Sequence, residues 1–420
     1  MTPLTSFVPV APDSDFPLEN LPYGVFRPRS GGSPRVGVAI GDYVLDLAVI
    51  DEAGLLAATP VSKCGLFNQD SLNAFMAAGP TAWQAVRTVL QRLLAANEST
   101  LRDAQALRDA ALIPQSDIEL LLPARIGDYT DFYSSLHHAS NVGKMLRPDG
   151  PPLFPNWRHL PVAYHGRAST VVVSGTAIRR PYGQIKPADN PAPIFSPTRA
   201  LDFELELGMF IGPGNALGQP IPITQAEEHI FGFVLVNDWS ARDIQGWEYQ
   251  PLGPFLAKNF ATSISPWIVP LAALNPFRST GEPQEPPPLP YLQSVQPGHF
   301  SITLEVWLND TRICQTNSCY LYWSFAQQIA HHTVNGCSLR PGDLLASGTI
   351  SGPTRESRGC LLELTWRGSE PIRLADGSLR RWLEDGDTVT MRGWAQGEGY
   401  RIGFGEVTGT IVPAEYPVVH

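Results

Sequence analysis

Three acidic residues alternate with apolar residues between positions 201 and 207. They are Asp202, Glu204 and Glu206. Successive side chains of a β-strand point to opposite faces, so the alternation predicts a strand with all three carboxylates on one face. Like charges on a half-buried strand repel one another, and a bound cation relieves that repulsion. The pattern therefore predicts a hard-metal site, although an exposed sheet face with solvated acids would show the same alternation.

A fourth carboxylate, Asp238, follows a long apolar run. Residues 239–245 predict a helix with Asp238 or Ser240 at its N-cap. Such a helix would place Arg242 and Gln245 on the same face as Asp238. The arrangement predicts an anion-binding surface beside the metal site, whereas a plain helix cap would account for Asp238 alone.

Lys258 lies in an apolar and aromatic stretch, between Phe255 and Phe260. Burying an ammonium group without a partner is costly, so Lys258 is expected to pair with an anion. The pair His331–His332 lies in a predicted helix, where adjacent residues face different directions. We interpret that pair as structural.

Composition excludes several classes of partner. The chain has 420 residues, 43% of them apolar, and its 30 basic and 40 acidic residues give a net charge of −10. Nucleic acids and anionic membranes require a basic surface, so neither is a predicted partner. The 37 glycines and 40 prolines favour a turn-rich β architecture.

The five cysteines are scattered, without a Cys-x-x-Cys pair. Such a set is typical of neither a disulfide framework nor a zinc site, and it predicts a reducing compartment. Residues 1–20 lack a basic segment followed by an apolar run, so no signal peptide is expected. No stretch approaches the length of a membrane span. We predict a cytoplasmic enzyme.

The elements that must position these residues divide into two predicted domains. Residues 1–118 predict a small β domain with a hairpin over 35–47 and a helical appendage over 72–112. Residues 119–420 predict a large β-sandwich or β-roll, because strands are many and helices few. A strand over Ile118–Leu122 opens this second part.

Four longer segments resemble the active-site segments of the fumarylacetoacetase family, within the wider fumarylacetoacetate hydrolase superfamily. The likeness runs from Leu21 to Gly405, nearly the whole chain. The superfamily shares the acidic residues, whereas the segments around Tyr133, Arg147 and Tyr249 favour the fumarylacetoacetase family itself. The four segments are residues 131–143, 201–206, 237–245 and 251–258.

The resemblance implies a bound Ca²⁺ or Mg²⁺ ion, or both. Oxygen-only ligation suits a hard cation and excludes a zinc site built on Cys or His. Asp202 matches no ligand in the family and is left out. Lys258 and Thr262 match positions near a second, magnesium-type site. The implied ligands of the first ion are Asp131, Glu204, Glu206 and Asp238.

The resemblance also implies the fold, the assembly and the substrate contacts. The expected fold is mainly β, with a small SH3-like N-terminal barrel followed by a large β-roll or β-sandwich domain, usually as a homodimer. This agrees with the strand-rich reading of the chain. The implied contacts to a small diketo-acid substrate are Tyr133, Arg147, Tyr164, Gln245, Tyr249 and Thr349.

His138 is the expected general base, because its spacing from Asp131 matches the family motif and histidine titrates near neutrality. His137 precedes it directly. Glu363 is the expected partner that orients the imidazole, as the one acid of a predicted strand over Leu361–Trp366. Without the resemblance, Glu363 reads as the exposed residue of an edge strand.

The implied activity is metal-dependent hydrolysis of a carbon–carbon bond in 4-fumarylacetoacetate, giving fumarate and acetoacetate, the last step of tyrosine and phenylalanine catabolism. Such a bond breaks when water adds to one carbonyl and the leaving carbon is stabilised as an enolate. Arg242, Gln245 and Lys258 are the expected groups that hold the developing negative charge. The alternatives are another superfamily enzyme, such as an acylpyruvate hydrolase or oxaloacetate decarboxylase, and a non-catalytic calcium-binding β-sandwich.

Overall fold

Sheets form the framework of both parts of the chain. The computed structural model describes residues 4–294 and 297–416. The ends of the two predicted domains, residues 1–3 and 417–420, lie outside the described residues, as do residues 295–296. A small curled sheet comes first and a larger sheet domain follows. The predicted mainly β fold with a small N-terminal and a large C-terminal part is therefore confirmed.

The N-terminal sheet is antiparallel, and its strands lie in the order Leu112–Pro114, Tyr43–Asp46, Arg35–Ile40, Tyr23–Pro28 and Ile118–Leu121. The predicted hairpin is present, since Arg35–Ile40 pairs with Tyr43–Asp46 across the Gly41–Asp42 turn. The segment expected to open the second part instead pairs with Tyr23–Pro28 in this sheet. The strands are β1 (Tyr23–Pro28), β2 (Arg35–Ile40), β3 (Tyr43–Asp46), β4 (Leu112–Pro114) and β5 (Ile118–Leu121). The helices are α1 (Leu47–Glu52), α2 (Asn73–Ala77), α3 (Gly79–Leu94), α4 (Ser99–Arg102) and α5 (Gln105–Ala111).

The C-terminal part contains an eight-stranded and a five-stranded sheet, with several two-stranded pairs. Its strands are β6 (Tyr129–Phe132), β7 (Ala163–Gly166), β8 (Val171–Val173), β9 (Ile178–Arg179), β10 (Tyr182–Ile185), β11 (Ile194–Pro197), β12 (Leu201–Asp202), β13 (Leu205–Ile211), β14 (Ile230–Asp238), β15 (Ser240–Ala241), β16 (Thr262–Ile264), β17 (Val269–Pro270), β18 (Arg278–Ser279), β19 (His299–Phe300), β20 (Thr303–Leu308), β21 (Thr311–Asn317), β22 (Leu344–Ala346), β23 (Ile372–Arg373), β24 (Leu379–Arg380), β25 (Thr388–Gln396) and β26 (Arg401–Val412). The large sheet runs β7-β6-β22-β13-β14-β16-β8 with β17 beside β14, and the smaller runs β21-β20-β25-β26-β9.

Helices of this part are short. They are α6 (Leu136–Leu146), α7 (Arg242–Glu248), α8 (Leu271–Leu274), α9 (Phe325–Thr333) and α10 (Leu361–Leu364). Short 3₁₀ helices across the chain span Gln115–Asp117, Ala168–Thr170, Ala226–His229, Asn275–Phe277, Pro290–Leu292, Ser318–Tyr320 and Arg355–Ser357. None of the helices in the described ranges combines the length and the apolar character that crossing a membrane requires.

The central strands β13 and β14 are buried on both faces. On one face Leu207 and Leu235 pack into a core shared with the five-stranded sheet, through residues such as Val306 and Met391. On the other face Phe210, Val234 and Val236 pack into the core of the N-terminal domain. The sheet that carries the acidic residues is therefore held from two sides.

Two predictions of local structure are wrong. Leu361–Leu364 forms the short helix α10 and not a strand, so Glu363 is buried and not an edge residue. Asp238 is the last residue of β14, and α7 begins at Arg242 after Ala241, which has no capping side-chain hydrogen bond. Neither Asp238 nor Ser240 caps this helix.

Candidate active site

Four of the predicted acids meet in one buried cluster. Oxygen atoms of Asp131, Glu204, Glu206 and Asp238 all lie within 4.8 Å of one another. Their residues are 0–5% exposed. We call these four residues the acid tetrad. Asp202, which the alternation placed beside them, contributes no oxygen to this group within the described chain.

Strand register brings the tetrad together. Asp131 on β6 pairs with Ala346 of β22, and Ala346 pairs with Gly208 of β13. Two residues before Gly208 on β13, Glu206 pairs with Val236, which lies two residues before the end of β14. Side chains on alternate residues of a strand share a face. Glu206 and Asp238 therefore lie on the same face as Val234 and Val236, which pack against the N-terminal domain further along β14.

Cationic and neutral donors contact part of the tetrad. Lys258 is 6% exposed, and its Nζ donates to Asp238 Oδ2 at 2.7 Å and to Glu204 Oε2. Tyr164 Oη donates to Asp238 Oδ2 at 2.9 Å, and Thr262 Oγ1 donates to Asp238 Oδ1 at 3.2 Å. The predicted pairing of Lys258 with an anion is present in the structure. Its ammonium offers charge and donors rather than a lone pair.

Lys258 forms ion pairs with two of the four tetrad acids, Glu204 and Asp238. Burial raises the pKa of Asp131 and of Glu206 well above their ordinary values, and the neighbouring carboxylates raise both pKa values further. Burial also opposes ionisation of Glu204, but Lys258 and Arg242 hold the pKa of its carboxyl below the usual range. Asp131 and Glu206 are therefore the half of the tetrad that still lacks a positive partner.

The donor set fits a hard divalent cation. Asp131 Oδ1 and Glu206 Oε1 are buried and have no hydrogen-bond partner among the described residues. The second oxygen of Glu206 accepts from the Gly348 N–H at 2.9 Å. Buried carboxylate oxygens without partners are expensive unless a cation or ordered water satisfies them. Oxygen donors alone favour Mg²⁺ or Ca²⁺ over zinc.

The predicted base and its partner are in contact. His138 Nδ1 lies 2.6 Å from Glu363 Oε2, and both side chains are almost wholly buried. Burial alone would raise the pKa of Glu363, but the charge of His138 and hydrogen bonds from His138, Asn141 and Ser351 lower that pKa to about 2. Glu363 is thus an anion that can fix the imidazole tautomer and stabilise an imidazolium. The neighbouring His137 instead contacts Glu282 at 3.1 Å.

Several residues around Glu363 were not foreseen. Asn141 Nδ2 donates to Glu363 Oε1 at 2.8 Å, and Ser351 Oγ donates to Oε2 at 2.7 Å. The Cys360 thiol lies 3.2 Å from the same Oε2. Asn141 could have been found, because it follows His138 by three residues on one face of α6. Ser351 and Cys360 have no comparable local signal.

Arg242 lies at the junction of the acids and α7. Its Nε donates to Asp202 Oδ2 at 2.8 Å, and its Nη2 forms an ion pair with Glu204 Oε1 at 2.7 Å. Its Nη1 donates to Gln245 Oε1 at 3.0 Å, one turn further along the helix. Arg242 and Lys258 therefore lie next to the tetrad, with fixed positive charge on one side of it, and Gln245 is in contact with Arg242.

The predicted substrate contacts fall into two groups. The ring of Tyr133 packs edge-on against His138 at 5.3 Å, and Thr349 Oγ1 is buried without a partner in the described part of the chain. Tyr164 contacts the tetrad, and Gln245 contacts Arg242. Arg147 instead donates to the Pro152 carbonyl at 2.8 Å and stacks over a nearby ring, while Tyr249 is 40% exposed. The Arg147 side chain thus contacts Pro152 and Phe154, and the Tyr249 side chain faces solvent in part.

The two parts of the chain match the N-terminal and C-terminal domain descriptions of a known enzyme family. Residues 129–412 match the C-terminal fumarylacetoacetate (FAA) hydrolase description, and residues 19–123 match the fumarylacetoacetase N-terminal description. Together the matched segments cover most of the chain. The chain belongs to the fumarylacetoacetate hydrolase family.

Curated relatives narrow the comparison within the family. The chain is 56% identical to the fumarylacetoacetase of Bos taurus over 97% of this chain and 99% of that protein. It is also 56% identical to the fumarylacetoacetase of Homo sapiens over 98% of this chain and the whole of that protein. A solved fumarylacetoacetate hydrolase from Exiguobacterium antarcticum is 17% identical and covers 94% of this chain and 100% of its own, with a TM-score of 0.53. That structure shares the fold.

Proposed function

We propose that this protein hydrolyses the carbon–carbon bond of 4-fumarylacetoacetate to give fumarate and acetoacetate, the last step of tyrosine and phenylalanine catabolism. The observation that carries the proposal is the 56% identity to fumarylacetoacetases over nearly the full length of both chains. The contact between His138 and Glu363 beside a buried acid tetrad supports it independently.

The tetrad is the proposed site of a divalent cation, Ca²⁺ or Mg²⁺. When bound, the cation would act as a Lewis acid that offsets the negative charge developing on the diketone. The partnerless oxygens of Asp131 and Glu206 support this assignment. Lys258 and Thr262 reach the tetrad through Asp238, where a second, magnesium-type site is also proposed.

His138 is the proposed general base. Its Nδ1 contacts Glu363, which leaves Nε2 to accept a proton from water as the water attacks the carbonyl carbon. Glu363 holds the imidazole in this tautomer and stabilises the imidazolium that forms. The same proton is available for the leaving carbon once the bond has broken.

Arg242, Gln245 and Lys258 are the proposed groups that hold negative charge. Fixed donors that face the position where charge develops act strongly in a buried site. Tyr133, Tyr164 and Thr349 are proposed to contact the substrate near the tetrad. Arg147 and Tyr249 are proposed to contact the substrate after their side chains turn toward the site.

A cytoplasmic homodimer is the proposed form of the protein. All five cysteines lie within the described residues and are free thiols, which is consistent with a reducing compartment. Sedimentation analysis at micromolar concentration checks the assembly, and a single monomeric species would contradict it.

Loss of the diketone absorbance of fumarylacetoacetate tests the activity. We expect turnover by the purified protein, its loss after treatment with a chelator, and its return when Mg²⁺ or Ca²⁺ is added back. Acylpyruvate and oxaloacetate serve as competing substrates. Preferential turnover of either one, or full activity of protein shown by elemental analysis to be free of metal, would contradict the proposal.

A further inference from the structure

Asp202 is a fully buried acid that the site described so far does not use. It is 0% exposed, and it ends the short strand β12, two residues before Glu204 of the tetrad. Burying a carboxylate is costly unless hydrogen bonds and a positive charge compensate it. The hydrogen-bond partners of Asp202 therefore indicate which elements its charge stabilises.

Within the described residues, the carboxylate accepts four hydrogen bonds from protein donors. Oδ1 accepts from the backbone N–H of Phe203 at 2.8 Å and from that of Leu361 at 2.7 Å. Oδ2 accepts from the N–H of Leu362 at 3.0 Å and from Arg242 Nε at 2.8 Å. Each oxygen has two donors, so its acceptor capacity is filled and no lone pair remains for a cation.

These donors belong to two different halves of the site. Leu361 and Leu362 are the first residues of α10, the short helix that carries Glu363. The residue before α10, Cys360, makes no side-chain capping hydrogen bond, so Asp202 supplies these acceptors from another element. Arg242 begins α7 and also pairs with Glu204 of the tetrad. One carboxylate thus joins the element behind the base to the cation beside the metal site.

We propose that Asp202 is a positioning residue that fixes the Glu363–His138 pair relative to Arg242 and the tetrad; this inference rests on the proposed function. Turnover needs the attacking water, held by His138, and the charge-holding groups at one fixed separation. Asp202 sets that separation through α10 on one side and Arg242 on the other. Because Asp202 links Arg242 to α10, the link does not require a direct contact between the two.

Asp202→Asn tests the inference with little change in shape. An amide keeps one acceptor oxygen and replaces the other with an NH₂ group. That group faces either the N–H groups of Phe203 and Leu361 or those of Leu362 and Arg242, so two contacts become donor against donor. We expect kcat to fall by about 10- to 100-fold, with KM changed by less than about twofold and the metal content unchanged. Combined with Glu363→Gln, the losses should be less than additive, because both changes act through the same base.

Asp343→Asn is the matched control. Asp343 is 1% exposed and accepts the backbone N–H groups of Asp128 and Arg340 at 2.9 and 2.8 Å. It precedes β22 at the end opposite Ala346, the residue that pairs with Asp131. The same chemical change there should lower stability and leave kcat close to that of the unsubstituted protein.

Proton NMR gives a readout that does not depend on turnover. The imidazole N–H shared by His138 and Glu363 should resonate far downfield, and this resonance should shift or broaden in Asp202→Asn but not in Asp343→Asn. Should Asp202→Asn fail to fold, Asp202→Ser, which leaves room for water, is measured in the same way with the same expectation.

Three results would overturn the inference: a kcat unchanged by Asp202→Asn, equal losses in Asp202→Asn and Asp343→Asn, or loss of bound metal, which would make Asp202 a ligand. A folded, unsubstituted protein that does not hydrolyse fumarylacetoacetate would overturn the proposed function instead. The NMR comparison would still decide the role of Asp202.

Discussion

Lys258 neutralises part of the same acid tetrad that is proposed to hold a cation. Burial would lower the pKa of Lys258, but Asp238 and Glu204 raise it above the ordinary value, so the ammonium stays charged. A fixed positive charge beside a metal site repels the metal while it stabilises anionic intermediates. We therefore expect Lys258 to weaken metal binding and to increase the rate of turnover.

Lys258→Met is expected to bind Mg²⁺ or Ca²⁺ more tightly, by about ten- to hundredfold, because one positive charge leaves the site. The same change should lower kcat far more than it raises KM, since the ammonium is needed mainly when the enolate forms. Calorimetric titration with metal and steady-state kinetics check the two effects. Lys63→Met, at an exposed lysine of the N-terminal domain, is the control. Weaker metal binding, or a change in KM alone, would contradict this assignment.

Glu206→Gln removes one of the two acids that lack a positive partner. The metal-free protein should become more stable, because one repulsive charge disappears, while the stabilisation by added metal should shrink. For the unsubstituted protein that gain is about 2.7 kcal/mol when the free metal is 100 times its dissociation constant. Thermal melting in chelator and in excess Mg²⁺ measures both quantities. An unchanged gain from metal would exclude Glu206 as a ligand.

His138→Ala is expected to abolish turnover and leave the metal content intact, and Glu363→Gln should lose much of the rate. The double variant should be little worse than His138→Ala, because the two residues act as one unit. Their removal should be compared with His137→Ala, which alters the adjacent histidine that contacts Glu282. Additive losses in the cycle, or activity that depends on His137 and not on His138, would show that another group is the base.

At this scale the sequence was informative about single residues and not about their contacts. The alternation correctly predicted that the Glu206 side chain points to the opposite face of the sheet from Leu205 and Leu207, since β13 is regular there. Asp202 behaves differently because the chain leaves the strand at Phe203, so Asp202 pairs with Ser240 in a separate two-stranded ladder. A two-residue period cannot reveal such a break, because the partner strand is distant in sequence.

At the scale of elements, the turn after β22 positions two residues of the site. Gly348 has a φ of +77°, and its N–H donates to Glu206 Oε2, directly before Thr349. A Cβ at this position would lie 2.2 Å from the carbonyl oxygen of Phe132, a backbone atom that cannot move independently. The turn therefore depends on glycine both for its conformation and for its close approach to β6.

Gly348→Ala is expected to displace the turn and to reduce kcat by at least about tenfold, together with a loss of stability of about 1–3 kcal/mol. Gly377→Ala is the control, because Gly377 has a φ of +87° but no atom within 4 Å of the added Cβ. That variant should lose about 1–2 kcal/mol and keep its kcat. Denaturant unfolding and steady-state kinetics separate the two effects, and full activity of Gly348→Ala would contradict them.

The short helix α10 shows why some elements could not be predicted. The sequence Leu-Leu-Glu-Leu at 361–364 fits a strand and a buried helical turn equally well, because four residues are too few to distinguish periods of 2 and 3.6. Its helical state is stabilised by the distant acceptors of Asp202. By contrast, the long apolar periodicity of α3 identified a helix correctly, since its sixteen residues contain several turns.

At the scale of the whole molecule, the N-terminal domain is part of the support for the eight-stranded sheet that carries the tetrad. Phe75 of α2 packs edge-on against Phe231 of β14 at 5.7 Å, and Trp83 of α3 packs against the same ring at 5.2 Å. The sequence predicted two domains but not this contact, because a strand buried on both faces shows only a continuous apolar run. We infer that the two parts unfold together.

Phe75→Ala tests that inference far from the chemistry. Phe75 is fully buried between Tyr23, Phe67 and Phe231, so its removal should cost about 3–5 kcal/mol. If the two parts share one core, calorimetry should show a single transition at a lower temperature, and heat inactivation should shift with it. At low temperature kcat should remain unchanged, because the tetrad and the His138–Glu363 pair keep their own contacts. Two separate transitions, with enzymatic activity surviving the first, would show instead that the eight-stranded sheet is stable without the N-terminal domain packed against it.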